Sequence, residues 1–274
     1  MNTINIKGNL LNLESPIVMG ILNLTPDSFY SNSRINNVNQ LVEQAGLMLE
    51  EGATIIDLGA YSTRPGALEV SEKEEIERIV PAVKAIISAF PKAIISVDTF
   101  RAEVANITVN EGASIINDVS GGNLDDNLLK TVAKLKVPYV LMHMRGTPQN
   151  MASLTNYEDI ISDMLQYFNE KIDYLNSLGV YDIMLDPGFG FAKTTDQNFE
   201  VLRSLEAFNC LNLPVLVGFS RKSMITKTLN ISAHEALNGT TALNMVALQK
   251  NAKILRVHDV LEAKQCIDLY KKLI

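Results

Sequence analysis

The chain has 274 residues, 47% hydrophobic and 20% charged, with a formal net charge of −7. That length suits one domain, residues 1–274, with a large core. The acidic balance favours solubility, and no basic cluster is dense enough for a nucleic-acid surface. No apolar stretch approaches the ~20 residues of a membrane helix. The N-terminus lacks the basic start and long apolar core of a signal peptide. Two cysteines, Cys210 and Cys266, stand in unrelated segments, as reduced thiols of a cytoplasmic protein would. The histidines, His143, His234 and His258, are scattered, and no Cys or His spacing reads as a zinc site.

In chain order, the first fifteen residues alternate apolar and polar around Lys7-Gly8-Asn9, the pattern of a β-hairpin expected to close one end of the fold. Eight short apolar runs come next, at Ile17–Leu22, Thr54–Leu58, Ala93–Val97, Ser114–Ile116, Tyr139–Met142, Asp182–Leu185, Pro214–Val217 and Ile254–Val257. Runs of this kind read as strands buried on both faces. Helices are expected between and after them at Val38–Glu51, Ser71–Ser88, Ala102–Glu111, Asp126–Lys136, Tyr157–Leu178, Asp196–Phe208, Ala233–Gln249 and Leu261–Lys272. Ser71 and Glu74 have capping-box spacing. The segment Glu51–Asp57 is echoed by Glu111–Asn117: helix end, glycine, buried strand. This alternation predicts an α/β fold, a (β/α)8 TIM barrel with an N-terminal hairpin, whose active site lies at the C-terminal ends of the strands. Two βα loops are long, from Asn23 to about Asn37 and from about Gly59 to Val70, and loops of that length are more often functional than incidental.

The strand ends carry the chemistry. Asp98, Asn117 and Asp186 end three of the strands and converge on the mouth, offering acceptors and an amide to a flat heterocycle with an amino group and ring N–H groups. The alternative is that each caps the following helix. Asn23, Arg64, Arg256 and His258 come from the first, second and eighth strands, which meet when the barrel closes. The guanidinium forks suit phosphate oxygens, and the Asn23 amide oxygen suits Mg²⁺. Lys222 sits at the mouth and could donate to a ring carbonyl; a Schiff base is the lesser alternative. His143 reads as a buried structural residue, Met142 as packing against the ligand, and Asp57 as support for the second loop. There is no G-x-S-x-G elbow, P-loop, G-x-G-x-x-G or H-E-x-x-H. The site offers binding and electrostatics without a protein nucleophile.

These residues fall in stretches that resemble dihydropteroate synthases over essentially the whole chain. They are Met19–Phe29 with its Leu-Thr-Pro-Asp-Ser-Phe, Ser62–Gly66, Ser96–Thr99, Ile116–Gly122, His143–Pro148, Asp186–Phe191, Gly218–Ser223 and Arg256–Asp259. The resemblance implies condensation of 6-hydroxymethyl-7,8-dihydropterin pyrophosphate with 4-aminobenzoate, giving 7,8-dihydropteroate and pyrophosphate by a dissociative route in folate biosynthesis. It implies a homodimer, a sulfonamide target, and Mg²⁺ as cofactor with Asn23 as its ligand. Asp98, Asn117, Asp186 and Lys222 would hold the pterin, with Met142, Phe191, Gly218 and Arg256 around it. Asn23, Thr63, Arg64, Arg256 and His258 would hold pyrophosphate. Phe29, Thr63, Pro65, Phe191, Ser220 and Lys222 would surround the aminobenzoate. The catalytic set implied is Asp98, Lys222, Asp27, Arg256 and His258. The chain departs from the family pattern at Tyr30–Arg34, which has no glycine, and at Gly59-Ala60-Tyr61, where Gly-Gly-Glu is common. The neighbouring readings are a non-catalytic pterin-binding paralogue and a pterin-dependent methyltransferase domain. The second would not need Ser-Thr-Arg-Pro-Gly or the Arg256/His258 pair.

Overall fold

The structure, a computed structural model, describes residues 3–24, 34–61 and 70–273. Strands β1 (Thr3–Ile6) and β2 (Asn9–Asn12) form the expected hairpin. Eight parallel strands come after it: β3 (Ile17–Asn23), β4 (Ile55–Gly59), β5 (Ile94–Asp98), β6 (Ile115–Asp118), β7 (Tyr139–Met142), β8 (Ile183–Asp186), β9 (Leu216–Val217) and β10 (Ile254–Val257). Their order is β8-β7-β6-β5-β4-β3-β10-β9. Leu185 of β8 bridges to Val215 beside β9, and its amide donates to Pro214 O at 2.9 Å, which closes the barrel.

The surrounding helices are α1 (Arg34–Glu50), α2 (Glu72–Ala89), α3 (Ala102–Asn110), α4 (Leu128–Leu135), α5 (Ile160–Ser177), α6 (Thr195–Arg203), α7 (Ser223–Leu229), α8 (Leu237–Gln249) and α9 (Val260–Tyr270). Several differ from the sequence expectation. The first helix starts at Arg34 instead of Val38, which shortens the first long loop. The sixth ends as an α-helix at Arg203, and Leu205–Leu211 continues as 3-10 turns. The expected helix Ala233–Gln249 divides into a 3-10 turn, Ala233–Glu235, and α8. Helix α7 has no counterpart in the sequence expectation; its 7 residues are too few for a clear apolar period. At α2, Ser71 Oγ accepts from the Glu74 amide, while the Glu74 carboxylate accepts from Arg78. None of the described helices is long and apolar enough to cross a membrane.

The period of two along a strand sorts the side chains. Val18, Ile56, Leu58, Val97, Ile116, Leu141, Leu185 and Leu255 belong to the large cluster packed against the helices. Met19, Ile55, Ile115, Val140, Met184, Leu216 and Ile254 instead form a second cluster with Ile4, Ile6 and Leu13 of the hairpin segment. That second cluster fills the barrel interior, and the hairpin segment seals it. The residues two places further along each strand then face inward on the next level, and there the composition turns polar.

The neighbouring Asn117 and Asp118 of β6 show how strict this alternation is. Asn117 faces the interior. Asp118 faces the helical layer, where it accepts from Tyr139 Oη at 2.6 Å, Ser120 N at 2.7 Å and Gly122 N at 2.6 Å. The fully buried Asp118 carboxylate thus fixes the β6–α4 connection. Hydrogen bonds to charged groups contribute about 1.5–3 kcal/mol. Tyr139→Phe should lower stability by that amount in urea unfolding, with an unchanged denaturant slope.

Candidate active site

The second inward level carries Asp57 from β4, Ser96 from β5, Asn117 from β6, Met142 from β7, Asp186 from β8 and Arg256 from β10. Strand register pairs Asp57 with Ser96 and Met142 with Asp186, and it pairs Asn117 with Asp98. Asp57, Ser96, Asn117 and Asp186 are all buried. Above them, Asn23 and Asp98 flank Gly59, whose missing side chain leaves the space between them open. A Cβ there would lie 3.7 Å from both Asn23 Oδ1 and Asp98 Cβ.

One cation organises this level. Arg256 Nε donates to Asp57 Oδ2 at 2.7 Å, and Nη2 donates to Asp98 Oδ2 at 2.7 Å. Nη2 also lies 2.6 Å from Asp57 Oδ2, and Asn117 Nδ2 donates to that same oxygen at 3.1 Å. Burial raises the Asp98 pKa, Arg256 opposes the rise, and Asp57 adds to it. Burial alone would lower the Arg256 pKa, but Asp57 and Asp98 hold it above the usual guanidinium value. Arg256 therefore sits with the acids expected to recognise a heterocycle. Asp57 orients both Arg256 and Asn117.

Asp186 is raised by burial, opposed by Lys222, by the Gly188 amide, by Arg256 and by Lys193. Its Oδ1 accepts from Gly188 N at 2.7 Å. Gly188 has φ +68, and a Cβ there would fall 2.1 Å from His143 O, so no larger residue fits this turn. Lys222 reaches across the mouth and donates to Phe189 O at 2.7 Å, with its ammonium 4.8 Å from the Phe191 ring centroid. Burial lowers the Lys222 pKa to about 8, against the pull of Asp186. Asp98, Asn117 and Asp186 are not N-caps; those positions belong to Arg101, Asn127 and Thr194 for α3, α4 and α6. The capping alternative is thereby removed.

The loops after β9 and β10 are locked together. Arg221 holds Asp259 through both guanidinium edges, Nε to Oδ2 at 2.9 Å and Nη2 to Oδ1 at 2.8 Å. Ser220 Oγ accepts from the His258 amide at 3.3 Å and lies 3.1 Å from His258 Nδ1. Ser220 and His258 are thus adjacent, while Arg256 is committed to the acids below. His143 is buried as expected, and the structure supplies it with a partner that the sequence does not suggest: Lys193 Nζ lies 3.0 Å from Nδ1.

At the base of the second long loop, Tyr61 packs edge-on against Phe100 at 5.1 Å. The Arg101 guanidinium lies over both rings and donates to Glu75 and to Val70 O. The residue that departs from the family's Gly-Gly-Glu is therefore built into an aromatic–arginine cluster. Asp27, Phe29, Thr63, Arg64 and Pro65 lie outside the described residues. Asp57, Arg101 and Lys193 are not found by looking at strand ends alone. Asp57 could have been found from the period of two, since it stands two residues beyond the inward Ile55.

Residues 19–258 match the model of the pterin binding enzyme family. The dihydropteroate synthase of Escherichia coli (strain K12) is 43% identical over 263 residues, covering 95% of this chain and 93% of the relative. A Yersinia pestis dihydropteroate synthase solved with a sulfonamide drug complex superposes with TM-score 0.92 at 40% identity, covering 99% of this chain and 98% of the other. The Xanthomonas albilineans dihydropteroate synthase with 4-aminobenzoic acid gives TM-score 0.90 at 34% identity, with the same coverage. The chain belongs to the dihydropteroate synthase family of pterin-binding enzymes and is a transferase of that type.

Proposed function

We propose that this site joins 6-hydroxymethyl-7,8-dihydropterin pyrophosphate to 4-aminobenzoate by loss of pyrophosphate before attack. The observation that carries the reading is the inward polar level at the barrel mouth, where Asn117 joins the Asp57–Arg256–Asp98 network and Asp186 and Lys222 stand beside it. Asp186 accepts from the pterin amino group and adjacent ring N–H, Asn117 matches the ring edge beside it, and Lys222 donates to the ring carbonyl or nitrogen. Met142, Phe191 and Gly218 border the ring. The C–O bond to pyrophosphate breaks with its electron pair leaving on oxygen, and the electron-rich dihydropterin ring stabilises the methylene cation. Asp98 sits where that charge develops, and preorganised charge of this kind is often the largest catalytic contribution. The aniline nitrogen then supplies the pair for the new C–N bond and loses a proton.

His258 and Asn23, with Thr63 and Arg64, receive the leaving group; Arg256 assists from below. Ser220, Phe191 and Lys222, with Phe29, Thr63 and Pro65, form the aminobenzoate pocket, and Asp27 acts from the first loop. Among the described residues no three His, Cys, Asp or Glu side chains form a metal cage. The donor chemistry nevertheless fits Mg²⁺, which takes one or two protein oxygens and completes its shell with water and phosphate. Asn23 would hold it, and the ion would screen charge on pyrophosphate. The exposed leucines Leu229 of α7 and Leu261 and Leu269 of α9 support pairing with a second copy of the chain on the outer face of the barrel.

The reading is tested by pyrophosphate release with each substrate omitted in turn. Turnover should require both substrates and Mg²⁺, and EDTA should abolish it. Pterin binding without release would instead indicate a non-catalytic paralogue.

Asp186→Asn turns an acceptor into a donor facing donors. With hydrogen bonds to charged groups contributing about 1.5–3 kcal/mol each, the pterin dissociation constant should rise by tens of fold in calorimetry. An unchanged constant would remove Asp186 from the pterin site.

Lys222 donates most strongly as an ammonium. Its pKa of about 8 means that kcat/KM for the pterin substrate should fall as pH rises through 8. Lys222→Arg, which stays charged, should lose that alkaline limb even where its rate is lower. Retention of the limb at the same pH would assign it to another group.

A further inference from the structure

Behind the cavity, Lys193 is buried with all of its polar partners on one turn and one neighbouring strand end. Its Nζ donates to Gly188 O at 3.1 Å and to Phe191 O at 3.1 Å, and lies 3.0 Å from His143 Nδ1. An ammonium has three donors, and here it meets three acceptors. Burial pushes His143 down to about 2, with Lys193 and Arg145 adding to the effect, so the ring is neutral and Nδ1 accepts. The His143 amide donates to Asp186 O at 2.9 Å, and Asp186 Oδ1 accepts from Gly188 N at 2.7 Å. The turn from Asp186 to Lys193 is thus wrapped around this one charge. On the cavity side the same turn presents Phe189 O to the Lys222 ammonium and the Phe191 ring beneath it.

We propose that Lys193 is a positioning residue for the pterin site, whose three buried contacts shape the Asp186–Lys193 turn and so place the Asp186 carboxylate and Phe189 O at the mouth. This rests on the reading that Asp186 binds the pterin. A neutral amide would bring only two donors to these two carbonyls and the imidazole, so the third contact calls for the ammonium although burying one is expensive. The charge has a use because Asp186 is itself buried and raised. The charged groups facing Asp186 are Lys222, Arg256 and Lys193, and those facing Lys193 are Asp186, Lys222 and Arg145. Burial lowers Lys193 to about 7, with Asp186 opposing, so its charge is present below that pH and lost above it. It is therefore present in the acid range where Asp186 takes up its proton. Removing the charge should move Asp186 protonation upward and weaken pterin binding from the acid side.

The experiment is calorimetric binding of 6-hydroxymethylpterin from pH 5 to pH 9 by the wild-type protein, Lys193→Met, Lys193→Arg and Asp186→Asn. Lys193→Met should bind at least tenfold more weakly at pH 6, where the wild-type ammonium is present, with its acid limb displaced upward. Lys193→Arg keeps the charge and should keep the limb, with affinity between the two. Native affinity and a native acid limb in Lys193→Met, beside a weakened Asp186→Asn, would overturn the proposal alone. Native binding by Asp186→Asn as well would remove the pterin assignment beneath it. If Lys193→Met does not fold, His143→Leu and His143→Gln decide. His143→Gln offers an amide oxygen to Lys193 and should bind better than His143→Leu; equal affinities would overturn the role of the third contact.

Discussion

Arg256 holds together side chains that come from opposite ends of the chain. It pairs with Asp57, 199 residues earlier, and with Asp98, 158 residues earlier. Two carboxylates taken out of water beside one another repel, and Asp57 adds to the rise in the Asp98 pKa. The guanidinium makes their coexistence possible, and its planar fork meets both with good geometry. Breaking such a buried set by removing one member leaves uncompensated charge, which costs far more than the pair contributes. Asn117 depends on the same set, because the oxygen that receives its amide is the one that receives Arg256. The recognition surface is therefore one electrostatic unit and not a collection of separate contacts.

The barrel separates this unit from the apparatus that stabilises the fold. One inward level is apolar and is closed by Ile4, Ile6 and Leu13. The next is polar and opens to the mouth. Two residues beside the polar level hold an unfavourable backbone conformation. Ala192 and Arg221, neither of them glycine, have φ of +46 and +56 in the two loops that frame Lys222. Such conformations persist only where the surroundings over-determine them. Here Tyr157 donates to Ala192 O, and Arg221 is fixed by Asp259 and by the Ala233 and His234 carbonyls. Apolar packing supplies the scaffold, and a few strong polar contacts hold the costly loops against it.

Much of this is legible in the residues alone. The inward-pointing residues at the end of a buried strand in a closed barrel face its mouth, which is why Asn23, Asp98, Asn117 and Asp186 stand out. Lys222 stands out because its loop follows such a strand. The partners of Asp57 are less legible because it lies one level deeper, inside an apolar run. Lys193 and Arg101 are hidden because their acceptors include backbone carbonyls, which have no signature in a sequence. Helix α7 is hidden because two turns show no period, and α8 is expected too early because Ala233–Glu235 shares its composition while forming a tighter turn.

The sequence by itself determined the alternation of strand and helix, the hairpin and the family. These come from local periodicities of two and 3.6 and from motifs a few residues long. Only the tertiary structure decided that Arg256 belongs to Asp57 and Asp98, that Asp118 turns away from the site its neighbour Asn117 enters, and that Lys193 stands behind Asp186. Those pairings depend on the stagger of strands around a closed barrel. A buried charge chooses its partner by distance in space, and distance along the chain carries almost none of that information.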